Sequence, residues 1–418
     1  MTEKPILFDG KTLDVGNKKE DATLQGVYNT VNRYLFVTDY NRIDVILATA
    51  LSNQMIGTPI WIFIVGNSGD WKSAFAQSLS TLPNCIKIDQ ITKNTLATGM
   101  KETWDLGQDL QNKSTILFFP DLAALTSANT DEKNMIWGQF RSLYDGDIYK
   151  STGSGVKKAY ENCHVTIVAC TTQAIRDEVL VHAQLGTREL LYDTSPDKVD
   201  NDKKMDAAWD NEGCEENMKR DLQDIVKRFI AAHNIKDIKI PPEIKTLIKK
   251  QADKLAILRA SATTDRRHGE LINPIYPEVP TRCVKQFKRL YISLKSLDDD
   301  YTDEKCMKII EHIVESSGNP VRRKIVDTLK GAGIPMNIKE VSQKTGIGRK
   351  SLKRQLEILW NLKVVEKTSV EERIGGFFYE DNNGHEKIKG GRIEEVFYYK
   401  YKAKKFNQTT LKKDTITG

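Results

Sequence analysis

The sequence predicts an α/β fold with a mostly parallel sheet around a glycine-bearing loop, followed by helices and a small basic module. An apolar run, Trp61–Val65, leads into a glycine-bearing loop and a helical pattern. Further apolar runs at 114–119 and 164–170 are separated by helical patterns, which is typical of parallel strands joined by crossovers. Residues 319–418 then combine helical runs with a strand and an excess of basic side chains.

The loop at 66–73 has the order of groups that phosphate binding needs. Backbone N–H groups of the turn point at an anion, a lysine reaches the outer phosphates, and a hydroxyl holds Mg²⁺. The usual pattern is G-x-x-x-x-G-K-[ST], and Trp71 replaces its second glycine, which departs from the residue that best allows close backbone approach. We expect phosphate to be bound by Gly66, Asn67, Ser68, Gly69, Asp70, Trp71, Lys72 and Ser73.

An acid follows the next long apolar run. Asp121 comes directly after the run at 114–119 and Pro120, in the place of a Walker B carboxylate. Such a group at the carboxyl edge of a strand can hold Mg²⁺ or its water shell beside the loop. Ser73 and Asp121 are therefore the predicted metal ligands.

A β-hairpin with a Gly/Ser tip is predicted at 149–160, ahead of the apolar run at 164–170. It carries three lysines, Lys150, Lys157 and Lys158. They could grip nucleic-acid phosphates without sequence preference, or simply make an exposed hairpin soluble.

Composition excludes several classes of protein. The chain has 418 residues, 39% of them hydrophobic and 29% charged, as in an ordinary globular protein of two or three domains. No apolar stretch reaches membrane-spanning length, and the start does not resemble a signal peptide. Six scattered cysteines form no C-x-x-C pair, so we expect free thiols, no zinc site, no membrane and a cytoplasmic location.

Charge divides unevenly along the chain. Residues 319–418 hold 22 Lys and Arg against 12 Asp and Glu, a net charge of +10 that leaves −4 for the rest. Helical runs at 320–329, 337–345 and 349–362, with a strand from Val364, predict a winged helix-turn-helix. Its recognition helix would contact DNA through Arg349, Lys350, Ser351 and Arg354, although such modules also bind proteins.

The chain resembles a known family in two stretches. The loop resembles that of the minichromosome-maintenance (MCM) type of AAA+ ATPase, G-D-P-G-V-A-K-S, which also lacks the second glycine. Residues 140–172 and 185–191 resemble the MCM-like ATPases of phages and mobile elements, which read approximately L-R-x-x-Y-D-G-x-x-x-K-x-x-G-x-G, an apolar strand and threonine, then L-G-x-R-F-L. The matching residues are Arg141, Tyr144, Asp145, Gly146, Lys150, Gly153, Gly155, Thr172, Leu185, Gly186 and Arg188.

The resemblance, over about 39–294, implies an ATP- and Mg²⁺-dependent AAA+ core, an α-helical lid and a hexamer that moves the hairpin lysines along single-stranded DNA. It implies that Thr172 is sensor 1, that Arg188 is an arginine finger reaching a neighbouring subunit, and that Arg282 lies on the sensor-2 helix. With Asp121, these are the predicted catalytic residues. For either arginine, a surface salt bridge is the plainer alternative.

The implied domains are an N-terminal arm (1–38), the AAA+ core (39–215), the lid (216–318), the winged helix (319–402) and a basic tail (403–418). The family's Walker B pair has a glutamate after the aspartate, where this chain has Leu122. Either Asp121 takes the glutamate's place or the base comes from elsewhere, for example Glu132. The predicted function is a DNA helicase or translocase. The alternatives are a nucleotide-gated replication initiator or regulator with weak ATPase activity, and an AAA+ scaffold with a protein-binding winged helix.

Overall fold

The computed structural model describes residues 20–153, 155–182, 186–194, 201–262, 275, 277–374, 377–380, 386–389 and 392–402. The chain divides into two compact units. The first unit comprises the described parts of Met1–Gln173, Asp193–Lys239 and Arg289–Ile309, and the second those of Ala174–Tyr192, Ile240–Lys288 and Ile310–Gly418. The predicted lid, 216–318, is therefore shared between both units rather than forming a separate body.

The first unit contains the predicted parallel strands. They are β1 (Trp61–Val65), β2 (Cys85–Lys87), β3 (Ser114–Phe119) and β6 (His164–Thr171), paired in parallel in the order β2-β3-β6-β1. Every residue of β1 is buried, as expected for a strand covered on both faces. The expected mostly parallel α/β sheet is confirmed.

A separate hairpin lies between β3 and β6 along the chain. Strands β4 (Ile148–Ser151) and β5 (Lys157–Tyr160) pair in antiparallel fashion, with Ile148 opposite Tyr160 and Ser151 opposite Lys157. The predicted hairpin is thereby confirmed.

Helices surround the sheet of the first unit. They are α1 (Leu24–Asn32), α2 (Asn41–Ser52), α3 (Lys72–Ala76), α4 (Leu106–Leu110), α5 (Ala123–Ser127), α6 (Thr130–Asp145), α8 (Asn201–Asp210) and α9 (Glu215–Ala232). A 3₁₀ turn, Gln77–Thr81, continues α3 and packs against α9. This packing places α9 in the first unit.

Two of these helices differ from the sequence-based expectations. Residues 24–37 were expected in the N-terminal arm, but Leu24, Val27 and Val31 of α1 are buried and α1 packs on α9. Burial of these apolar side chains stabilises α1 against the first unit, which a loose arm without buried residues would not achieve. Residues 1–19 of the predicted arm lie outside the described residues. Helix α8 occupies a stretch expected to be a polar loop. The sequence did not indicate a helix here, because none of the α8 side chains is buried and the apolar pattern is weak.

A buried carboxylate links three parts of the first unit. Asp44 on α2 has no exposed side-chain area and forms a 2.7 Å ion pair with Lys305. It also accepts hydrogen bonds from the hydroxyls of Tyr28 and Tyr301. Burial, and after it the charge of Asp44, raises the pKa of both tyrosines far above the usual range.

The second unit contains the basic C-terminal residues. Its other elements are α7 (Ile175–His182), most of β7 (Leu190–Asp193), and α10 (Pro242–Arg259). Helices α11 (Thr281–Lys295) and α12 (Asp303–Ser317) each begin in one unit and end in the other. Among the described residues, no helix combines the length and apolar character required to cross a lipid bilayer.

Residues 320–401 form three helices and antiparallel strands. The helices are α13 (Pro320–Ala332), α14 (Ile338–Thr345) and α15 (Arg349–Asn361), which match the three predicted helical runs. Strands β8 (Met336–Asn337), β12 (Arg392–Tyr401) and β9 (Val365–Ile374) form a sheet in that order, and β10 (Phe377–Glu380) pairs with β11 (Glu386–Lys389). The buried core includes Ile325, Leu329, Val341, Leu352, Leu356, Leu359 and Tyr399. The predicted tail, 403–418, lies outside the described residues.

Candidate nucleotide site and nucleic-acid surfaces

The predicted phosphate loop follows β1 and ends at α3. Gly69 and Trp71 both have left-handed backbone conformations, with φ of 80° and 54°. Such a conformation is unusual for a bulky residue and costs conformational energy. Trp71 therefore makes the turn that the usual motif assigns to glycine, at the position directly before Lys72.

Lys72 and Ser73 begin α3. The Lys72 side chain is buried, and its Nζ donates a 2.8 Å hydrogen bond to the Asn67 backbone oxygen. The Lys72 side chain thus points back across the loop, and its ammonium group lies beside the Asn67 carbonyl. Ser73 is half-buried on the first turn of the helix. This places a cation and a hydroxyl on one short stretch, as the motif predicts.

The carboxyl ends of β1, β6 and β3 meet at one edge of the sheet. Strand β6 lies between the other two, with Val65 opposite Thr171 and Phe119 opposite Ala169. Gly66 N donates a 3.2 Å hydrogen bond to Thr171 O, which ties the start of the loop to the end of β6. Because all three strands are parallel, the segments that follow them share this edge.

Thr172 and Asp121 both lie at that edge. Thr172 directly follows β6 and is half-buried, and Asp121 is exposed two residues after β3. The structure therefore brings the loop, Thr172 and Asp121 to the same side of the sheet. Side chains alternate along a strand, so Thr172 continues the face that carries Cys170.

Cys170 contacts both the phosphate loop and the segment that follows β3. Its buried Sγ donates to Lys72 O at 3.5 Å, and Leu122 N donates to Cys170 O at 3.0 Å. Burial raises the pKa of the thiol to about 12, a net value in which Lys72 and Arg42 oppose the increase and Asp121 adds to it. A cation of the loop and the carboxylate after β3 therefore act on a single buried atom.

The oxygen ligands that the chain supplies at this edge are of the kind that Mg²⁺ prefers. Mg²⁺ prefers hard oxygen ligands and is commonly held by one or two carboxylates together with substrate phosphates and water. Ser73 and Asp121 offer a hydroxyl and a carboxylate, and Asp121 Oδ1 accepts a 2.8 Å hydrogen bond from Ala123 N. Within the described ranges, no group of three or more His, Cys, Asp or Glu could hold a metal by itself. Glu132, the alternative base, lies in the first turn of α6, where its N–H bonds to Asn129.

Asp70 has a set of partners that the sequence analysis did not identify. Lys204 Nζ lies 2.5 Å from Asp70 Oδ1, and Arg42 Nη1 lies 3.5 Å from Oδ2 and 2.9 Å from the Asp70 backbone oxygen. The hydroxyl of Thr194 also donates to Oδ2. The sequence did not predict these contacts because the three partners are distant from Asp70 in the chain. The available signal was the presence of an acidic residue in a loop expected to bind anions.

The two predicted arginines come together within the second unit. Arg188 Nη1 donates to Gly186 O at 3.0 Å, and Arg282 Nη1 donates to Thr187 O at 3.1 Å. Arg282 lies in the first turn of α11, as expected, and forms a 3.7 Å ion pair with Glu278. The two guanidinium groups therefore both contact the carbonyls of one short turn.

Lys150 and Lys158 contact the chain itself. Lys150 Nζ donates to Asn94 Oδ1 at 2.9 Å and to Ala97 O at 2.7 Å. Lys158 Nζ lies 2.6 Å from the buried carboxylate of Asp105, and this hydrogen bond raises the pKa of Lys158. Both ammonium groups thus fasten the hairpin to the segment at 93–105.

The opposite face of the hairpin is exposed. Because side chains alternate along each strand, Tyr149 and Lys157 share the face away from Lys150 and Lys158. Tyr149 is 62% exposed and Lys157 is also exposed, whereas Tyr160 is buried. Of the three predicted lysines, Lys157 is the one whose side chain is placed on the outward face.

The predicted recognition-helix residues lie at the start of α15. Arg349, Lys350, Ser351 and Arg354 are all exposed, whereas Leu352 and Leu356 of the same helix are buried. This arrangement presents three positive charges and a hydroxyl to the solvent on about one turn and a half of helix.

No model of a known protein family matches the sequence, and no curated protein matches it. Among solved structures, a full-length MCM homolog from Methanopyrus kandleri is similar to this chain, with a TM-score of 0.39 and 12% sequence identity. The similarity covers 71% of this chain and 59% of that protein, so the chain spans less than two thirds of its length. At this level of similarity, the function has to follow from the arrangement of the chain's own residues.

Proposed function

We propose that the chain is an ATP-dependent DNA helicase or translocase of the AAA+ class, resembling the MCM-like ATPases of phages and mobile elements. The observation that carries the proposal is the common sheet edge shared by the phosphate loop, Thr172 and Asp121. Cys170 contacts both sides of this site, because its Sγ donates to Lys72 O and its backbone oxygen accepts from Leu122 N, directly after Asp121.

Each residue at this edge has a chemical role in the proposed reaction. Lys72 neutralises the β- and γ-phosphates, and Thr172 orients the attacking water or the γ-phosphate. Ser73 and Asp121 would hold Mg²⁺, which supplies charge neutralisation on the phosphates. In a ring, Arg188 would approach the nucleotide of a neighbouring subunit and Arg282 would assist it. A hexamer is the assembly that the resemblance implies.

Two surfaces are proposed to contact DNA. On the hairpin, Lys157 would bind phosphates of single-stranded DNA, and Tyr149 on the same face would stack on bases. The elements from α13 to β12 are proposed to be a winged helix-turn-helix, whose helix α15 contacts duplex DNA through its exposed basic side chains. The ammonium groups of Lys150 and Lys158 would support the hairpin rather than bind DNA directly.

Lys72→Ala tests the central step. We expect this variant to lose ATP hydrolysis and the strand displacement of a forked DNA, because no other side chain of the loop carries positive charge. Lys87→Ala, which removes a solvent-exposed lysine paired with Asp89, is the matched control and should retain both activities. Normal unwinding by Lys72→Ala would refute the proposed mechanism.

One observation favours a second function, a nucleotide-gated replication initiator or regulator with weak hydrolysis. Asp121 is flanked by Pro120 and Leu122, so no neighbouring glutamate is available to polarise water. Measuring the ATPase rate with and without single-stranded DNA separates the two functions. A motor should hydrolyse ATP faster when DNA is present, whereas a gated binding protein should show a slow rate that DNA does not change.

A further inference from the structure

The phosphate loop contains an acid at its centre. Asp70 lies between Gly69 and Trp71, two residues before Lys72. A carboxylate at this position repels an approaching triphosphate, and the repulsion is strong where the surroundings exclude water. The side chain of Asp70 is only 10% exposed, so solvent screens its charge poorly. A protein that binds phosphate here must compensate this charge.

Three elements of the first unit supply the compensation. Arg42 from α2 and Lys204 from α8 contribute two positive charges, and Thr194 contributes a hydroxyl donor. Asp70, Arg42, Thr194 and Lys204, which we name the Asp70 cluster, carry a net charge of +1. The cluster thus converts a repulsive position into one compatible with an anion.

The Asp70 cluster is also packed against the loop backbone. A Cβ on Gly66 would lie 2.1 Å from Thr194 Oγ1 and 3.1 Å from Asp70 Oδ2, so a side chain at Gly66 would displace the cluster. Arg42 binds the Asp70 carbonyl as well as its carboxylate, and the strained residue Trp71 follows immediately. The cluster therefore holds the turn from both the side chain and the main chain of Asp70.

Lys204 depends on Asp70 for its position. It belongs to α8, of which no residue is buried, so apolar packing contributes little to holding this helix. Beyond the Lys204–Asp70 ion pair, Asn211, just after the helix, donates to Tyr34 O at 3.0 Å.

We propose that Asp70 is a positioning residue of the phosphate loop, and that Lys204 is the counter-charge that allows a nucleoside triphosphate to approach it. The inference rests on the proposed function, since it assumes that the loop binds a nucleotide. It assigns to Lys204 an effect on binding that acts through Asp70 and requires no contact between Lys204 and the nucleotide.

A double-mutant cycle tests this assignment, with the fluorescent nucleotide mant-ATP as the probe. Lys204→Met removes one of the positive charges that compensate the Asp70 carboxylate, and it should weaken mant-ATP binding about tenfold. In an Asp70→Asn background the same Lys204→Met change should alter binding less than about twofold, because no charge remains to be uncovered. Lys203→Met is the matched control on the same helix, since its ammonium lies 5.7 Å from the Phe36 ring centroid, and it should bind mant-ATP like the wild type.

An equal loss of affinity in both backgrounds would show that Lys204 acts directly on the nucleotide and would overturn the inference. So would an unchanged affinity of Lys204→Met. Either result leaves the proposed function intact if the wild type binds mant-ATP, whereas a wild type without binding refutes both. Hydrogen–deuterium exchange of residues 66–73 without nucleotide gives a second readout. It should rise in Asp70→Asn and Lys204→Met relative to Lys203→Met, and equal exchange in the three variants would refute the positioning role.

Discussion

Replacing Asp44 with alanine removes the acceptor that Tyr28, Tyr301 and Lys305 share. A hydrogen bond to a buried carboxylate contributes roughly 1.5 kcal/mol or more, and there are two from the tyrosines. The partly exposed ion pair with Lys305 contributes about 1 kcal/mol. Asp44→Ala should therefore reduce the free energy of unfolding by about 4 kcal/mol, within the range of about 3–5 kcal/mol for breaking a buried pair.

Urea unfolding followed by circular dichroism measures this change. The matched control is Glu304→Ala, which breaks an exposed ion pair with Lys308 on the same helix and should leave the urea midpoint unchanged. A loss smaller than about 1 kcal/mol in Asp44→Ala would mean that the three donors find water or other partners, and the reasoning would be wrong.

The same cluster predicts a pH dependence. The pKa values of Tyr28 and Tyr301 are raised in the folded chain, so the folded state favours their protonated forms. This contribution is fully present below the unfolded tyrosine pKa of about 10, and stability falls as the pH rises above that value. In Asp44→Asn the pKa values are raised less, so as the pH rises above about 10 the fall of the urea midpoint should end at a lower pH than in the wild type. The same pH dependence in the two proteins would contradict this.

Four further variants test other sites. Lys157→Ala should reduce the salt dependence of single-stranded DNA binding by about 0.7 in the slope of log K against log salt, without changing thermal stability. Lys158→Ala should instead lower the melting temperature, because it leaves the buried Asp105 carboxylate unpaired; the reverse outcome for the two lysines would refute the proposed face of the hairpin. Arg354→Ala should weaken duplex binding uniformly across DNA sequences and lower the duplex salt slope by about 0.9, as a fluorescence-anisotropy titration would show. Arg289→Met should cost about 3 kcal/mol of unfolding free energy in urea, since Arg289 donates to the carbonyls of Ser52, Ile56 and Thr58, and a midpoint equal to the wild type would contradict that role.

Local patterns were sufficient to predict much of the candidate site. The strands β1, β3 and β6 are nearly continuous apolar runs, so their existence followed from the sequence, and their parallel pairing followed from the helical patterns between them. Once the strands are parallel, the residues after their carboxyl ends must share an edge. This is why Lys72, Asp121 and Thr172 could be predicted as neighbours.

Two helices, α1 and α8, were not predicted from the sequence. In α8 the side chains that face the rest of the first unit make polar contacts, so the apolar periodicity that identifies a surface helix is missing. Helix α1 is short, and its buried residues lie just after a polar stretch. The two errors have different causes. Helix α8 is held by polar contacts, which leave no apolar pattern, whereas α1 is held by a few apolar residues that are too short a run to identify a helix.

The sequence by itself determined the order of the long parallel strands along the chain, the phosphate loop, the hairpin and the concentration of positive charge at residues 319–418. These features depend on residues that are close together in the chain, where local geometry relates spacing to position. Only the tertiary structure decided which charges meet. It brought Arg42, Thr194 and Lys204 to Asp70, and it turned Lys150 and Lys158 inward while leaving Lys157 outside. Electrostatic contacts act through space, and the spacing of residues along a chain does not specify the distances between distant ones.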